Sequence, residues 1–108
     1  METHSLEATA RRMSRHRARG ELRRAWLCAV ELTVSDPQRG RWWALRGDLA
    51  AALRDEGEVL LAMRQAVFLF RREGAHERAE SVAMWLQRKG IDAGDVARPR
   101  RGAWRHAG

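Results

Sequence analysis

Residues 20–32 read GELRRAWLCAVEL, residues 57–69 GEVLLAMRQAVFL and residues 74–86 GAHERAESVAMWL. Aligned on their glycines, the three stretches share one pattern. Gly20, Ala25, Ala29 and Leu32 correspond to Gly57, Ala62, Ala66 and Leu69, and again to Gly74, Ala79, Ala83 and Leu86. Glycine permits a tight turn between antiparallel helices, and alanine lets neighbouring backbones approach closely. The recurrence predicts short helices packed tightly on one another, with Ala25, Ala62 and Ala79 at the closest contacts.

Outward from these stretches, Pro37 with Gly40 and then Gly90 complete a set of breakers that divides the chain into segments of similar length. Apolar residues recur between them at helical spacing. Leu22, Ala25/Trp26, Ala29/Val30 and Thr33 form one stripe; Trp42, Leu45, Leu49 and Ala52/Leu53 form the next. Val59, Ala62/Met63, Ala66/Val67 and Phe70 make a further stripe, and Ala75, Ala79, Val82/Ala83 and Leu86 another. Residues 5–19 carry Leu6, Ala10 and Met13 on one face. No segment shows the two-residue alternation of a half-buried strand. Asp36-Pro37 reads as a stop and a candidate N-cap for the next helix, and Lys89-Gly90-Ile91 as a left-handed cap with its apolar contact.

This register resembles the tetratricopeptide repeat, a helix-turn-helix unit of about 34 residues with small residues in its second helix and a proline at its end. Gly20, Ala25 and Pro37 fall at the family's spacing, and Leu49-Ala50-x2-Leu53 looks like its Leu-Gly-x2-Tyr. The chain departs from the family at Ala29, Ala66 and Ala83, where an aromatic is usual. Trp42 and Trp43 stand about a turn before the expected tryptophan, and Gly74 replaces a second proline. The resemblance implies an all-α fold, a short α-solenoid of antiparallel helix pairs. Two repeats would span residues 5–34 and 39–72, with 75–89 as a capping helix. Residues 1–4 then read as a short N-terminal tail, 5–90 as the helical domain, and 91–108, rich in Gly and Arg and containing Pro99, as a basic disordered tail.

The net charge is +7, and clustered Lys and Arg suit phosphate backbones. The tails carry most of this excess, while residues 20–90 are nearly balanced. The chain has no Asn or Tyr and a single Lys, a bias expected of a GC-rich genome. Cys28 is the lone cysteine and lies in an apolar stretch, where a free thiol acts as a small hydrophobe. The longest apolar runs fall far short of the roughly 20 residues of a membrane span, and no hydrophobic stretch comes after the arginines of the first twenty residues. A cytoplasmic location is the expectation.

Catalytic patterns are missing. His76-Glu77-x2-Glu80 lacks the second histidine of a zinc motif, no phosphate-binding glycine loop occurs, and the apolar neighbours of Cys28 disfavour a thiolate. Asp55, Glu56 and Glu58 crowd an inter-helix turn, where charge is normal. The expectation is a chain without enzymatic activity, metal or cofactor.

The resemblance instead implies a protein-protein interaction module or adaptor, with a partner peptide or helix held in a concave groove lined by the first helix of each pair. Transferred by register, that groove is lined by Ala10, Ser14, Arg17, Gly47, Asp48, Ala51, Arg54, Ser81, Trp85 and Arg88. Arg17, Arg54 and Arg88 would form a ladder suited to an acidic partner segment. The family's peptide-carboxylate clamp uses asparagines, and this chain has none. The alternative is a helical nucleic-acid-binding protein using basic tails, with Arg98, Arg100, Arg101, Trp104 and Arg105 on the polyanion. A regulatory subunit without chemistry of its own is a third reading. Trp42 and Trp43 are adjacent on a helix and diverge by about 100°, so at least one is expected to seek cover. Together with the shortness of the stack, that points to a homodimer or to docking on a partner.

Overall fold

Five helices form where the five periodic segments lie: α1 Glu2–Ala18, α2 Leu22–Ser35, α3 Gly40–Ala52, α4 Glu56–Arg72 and α5 His76–Arg88. The structure is a computed structural model in which residues 2–90 are described, their side chains from Leu6 onward. No strand occurs among the described residues. Helix α1 begins at Glu2, inside the stretch expected as a tail, and the expectations for residues 91–108 lie outside the described residues.

Each helix packs on its chain neighbours, α1 on α2, α2 on α3, α3 on α4 and α4 on α5. Two contacts define the layers. Arg17 of α1 pairs with Asp48 of α3, and the Trp26 indole N–H of α2 donates to Glu58 of α4 over 3.1 Å. Helices α1 and α3 therefore lie in one layer and α2 and α4 in the other, with α5 joining the first, where it shares a cleft with α3. The extents of 43 × 31 × 19 Å match a slab about two helix diameters thick. The chain is a short all-α solenoid of antiparallel helix pairs.

The repeated small residues set this packing. Ala25, Ala29 and Leu32, then Ala62, Ala66 and Leu69, then Ala79 and Leu86, are all buried, and Ala83 is half-buried. The glycines behave less uniformly. Gly20 and Gly74 take φ of 77° and 81° in the turns before α2 and α5, which only glycine adopts without strain. Gly57 does not belong to this set: it lies in the first turn of α4, behind the N-cap Asp55, whose carboxylate accepts from the Glu58 N–H. The left-handed position of that turn falls on Arg54, at φ 62°. Asp36, expected as a possible N-cap, instead ends α2, and α3 starts after Arg39.

Helix α3 is covered on two sides. Gly40 and Gly47, one heptad apart, meet Phe70 and Met63, one heptad apart on antiparallel α4. A β-carbon at either glycine would lie 2.8 Å from the facing side chain. Trp42 packs on the core cluster between α1 and α2, and Trp43 on the cluster between α4 and α5. Across the same helix runs a half-buried polar network. Arg46 pairs with Glu58, donates to the Thr33 hydroxyl over 2.9 Å, and lies 5.0 Å from the Trp43 ring centroid. The Thr33 hydroxyl in turn donates to the Val30 carbonyl over 2.7 Å. Arg46 thus ties α2, α3 and α4 together at one point.

Candidate partner-binding groove

Between α3 and α5 the first-helix layer leaves an open cleft of about 640 Å³. Its α3 wall is Arg41, Ala44, Leu45 and Asp48, residues at i, i+3, i+4 and i+7 and so on one helical face. The α5 wall is Glu77, Arg78, Ser81, Val82 and Trp85, again one face. Met63 and Phe70 of α4, both buried, supply the floor. They reach it because Gly40 and Gly47 have no side chains to occupy the α3–α4 seam.

Three residues expected in a groove stand in this cleft: Asp48, Ser81 and Trp85. Ala51 and Arg54 line a neighbouring cleft of about 520 Å³ with Asp55, Glu56, Val59 and Lys89, and Trp85 borders both. The others are elsewhere. Ala10 is half-buried against the core between α1 and α2, Ser14 is exposed, and Arg88 is exposed beyond both clefts. Gly47 is buried against Met63 and belongs to the α3–α4 packing. The cleft face of α3 is rotated from the one transferred by register, which is why Arg41, Ala44 and Leu45 were missed. Met63 and Phe70 read as core and are also floor. The heptad-spaced glycines facing a heptad-spaced Met and Phe are the signal that marks them.

The arginine ladder does not survive as a row of like charges. Arg17 is paired with Asp48, Arg54 sits in the turn beside Asp55 and Glu56, and Arg88 lies apart. The cleft walls carry charges of both signs, Arg41 and Arg78 with Glu77 and the Arg17-paired Asp48. Arg78 lies 5.9 Å from the Phe70 ring centroid and the Lys89 ammonium 5.6 Å from that of Trp85, so a guanidinium borders the apolar floor and an ammonium the tryptophan edge.

Trp42 and Trp43 are each half-buried, and both find partners within the chain. The Trp42 indole N–H donates to Asp36 over 3.2 Å and that of Trp43 to the Pro37 carbonyl over 2.9 Å. The expectation that one of them needs cover from another molecule assumed a helix with a single buried face, and α3 has two. Asp36 also accepts from Arg39 over 2.8 Å, and these bonds, Arg39 first, hold its carboxyl below the usual aspartate range. At the α1–α2 corner Glu21 is likewise lowered, chiefly by its 2.6 Å bond to His16. Both carboxylates tie chain corners and stand outside the cleft.

Cys28 is buried in the core between α1 and α2. Among the described residues no group of His, Cys, Asp and Glu is placed to hold a metal, and no helix is long and apolar enough to cross a membrane. Arg98, Arg100, Arg101, Trp104 and Arg105 lie outside the described residues. No protein-family model, curated protein or solved structure matches the chain.

Proposed function

We propose that the chain is a non-catalytic interaction module that seats a peptide or helix of a partner protein in the α3–α5 cleft. The observation that carries this reading is the cleft itself: an open trough between two first-layer helices, with a Met63–Phe70 floor and a half-buried tryptophan at one edge. Interface energy concentrates at such aromatic positions within apolar pockets. The tetratricopeptide-like reading gains support from the turns, since the left-handed residues Gly20 and Arg54 stand one repeat length, about 34 residues, apart. Because the wall charges are of both signs, apolar anchors, not a single-sign field, select the partner segment.

Ser81 offers the test, being exposed on the cleft wall and remote from the core. The full chain is immobilised and exposed to extract from its native source, with and without nuclease, beside Ser81→Arg. The reading expects a protein retained after nuclease treatment and lost on Ser81→Arg, with the variant's circular dichroism unchanged. Retention that nuclease abolishes would favour the polyanion-binding alternative, and retention that survives Ser81→Arg would remove the cleft from the account.

A further inference from the structure

The side of the molecule opposite the cleft is unexpectedly apolar. Leu27 and Val34 of α2 are 53% and 73% exposed, and Leu61 and Phe68 of α4 are 52% and 53% exposed. Each pair is separated by one heptad and so lies on one face of its helix. The buried residues of α2 (Ala25, Ala29, Leu32) and of α4 (Ala62, Ala66, Phe70) lie on the opposite faces. As α2 and α4 form one layer, the two exposed pairs point to the same side. Single exposed hydrophobes are ordinary, whereas a cluster rimmed by charge marks a contact surface.

The rim is cationic. Arg23 stands one turn before Leu27, and Arg71 and Arg72 come after Phe68, the Arg72 guanidinium lying 5.8 Å from its ring centroid. Two of the three carboxylates on these helices are engaged by their own chain, and the third, Glu56, stands in the first turn of α4, five residues before Leu61. Glu31 is bonded by Thr9 and Arg12, and Glu58 by Arg46 and Trp26. We propose that the outer face of α2 and α4 is a second docking surface, which takes an amphipathic helix of a partner protein whose apolar stripe is flanked by carboxylates. Carboxylates complement the Arg23, Arg71 and Arg72 rim, and an apolar stripe fits the ridges that Leu27, Val34, Leu61 and Phe68 present. A second copy of this chain would bring the same arginines against themselves.

The probe is a synthetic helix of about four turns with Leu at i, i+3, i+4 and i+7 and Glu on both flanks, beside a twin carrying Lys in place of Glu. Fluorescence anisotropy with the full chain should show binding of the Glu helix alone, weakening as salt is raised. Leu61→Asp combined with Phe68→Asp should weaken it by about tenfold or more. Arg23→Glu combined with Arg72→Glu should weaken it comparably without touching the apolar residues. Ser81→Arg should leave it unchanged, which separates this surface from the cleft. Equal binding of both helices, binding of neither, or indifference to the variants overturns the proposal. So does capture by phosphatidylserine–phosphatidylcholine vesicles without helix binding, or a dimer in sedimentation that Leu61→Asp/Phe68→Asp dissolves.

Discussion

Removing Arg46 should damage this fold more than its position on a polar stretch of α3 suggests. The Arg46 and Glu58 side chains are only 15% and 13% exposed, so Arg46→Met strands a carboxylate in a largely dry site with the Trp26 N–H as its remaining partner. Breaking one side of a buried pair costs about 3–5 kcal/mol. The residual exposure places this case near the lower end, about 3 kcal/mol. For a domain of this size each kcal/mol shifts Tm by roughly 4–8 °C, so Arg46→Met should melt on the order of 10–25 °C below the parent. Arg46→Met with Glu58→Leu should recover most of that loss, because replacing a whole buried pair by apolar residues is often close to neutral. Thr33 keeps its bond to the Val30 carbonyl, and half-buried Trp26 can turn its N–H to water. Urea unfolding monitored by tryptophan fluorescence reports on the site itself, as Trp26 and Trp43 both touch the pair. A single-variant loss under about 0.5 kcal/mol, or a double variant worse than Arg46→Met, would refute the reasoning.

The glycines should separate by what faces them. Gly40→Ala drives a β-carbon to 2.8 Å from the buried Phe70 ring and should cost about 1–2 kcal/mol, Gly47→Ala less because Met63 is flexible, while Gly57→Ala, which would meet nothing closer than the Asp55 carboxylate at 3.9 Å, should gain about 0.5–1 kcal/mol; urea midpoints would rank the three. Ala62→Leu and Ala79→Leu, at positions 0% and 1% exposed, should each lose about 1–3 kcal/mol by overpacking, and unchanged melting temperatures would contradict the repeat register. Asp36 should give an acid-sensitive corner. Its folded carboxyl is lowered, chiefly by Arg39, so its stabilisation is present above the unfolded aspartate range near about pH 4 and is lost as pH falls through the lower folded value. Asp36→Asn should destabilise at neutral pH and flatten the acid limb of the stability curve in pH-dependent thermal melts.

Helices α2, α4 and α5 were legible in the sequence because two local signals agreed there, while α1 and α3 rested on the apolar stripe alone. The 3.6-residue stripes and the Gly–Ala–Ala–Leu register pointed to the same buried faces, and eight of the nine register positions after the glycines are buried. The turn before α4 was misread because the pattern has a glycine at 57, while Asp55 caps the helix ahead of it and Arg54 accepts the left-handed conformation. The groove was legible only in part. Asp48, Ser81 and Trp85 came from register alone, but the rotation of α3 depends on Gly40 and Gly47 meeting Phe70 and Met63 across the seam. That is a pairing between helices, which the periodicity of one helix does not contain. The tryptophan pair was misjudged for a related reason: a stripe analysis gives each helix one inner face, and a helix between two neighbours has two.

The central claim is that a partner segment lies between α3 and α5. A photoreactive amino acid placed at Ser81, in the full chain within its native extract, tests this most directly, with the same group at exposed Gln87 of α5 as control. Light should attach a discrete peptide of another protein at position 81 but not at 87, and Trp85→Ala should reduce the yield by about tenfold or more. Equal labelling at both positions, adducts to nucleic acid, or no adduct at 81 would contradict the account.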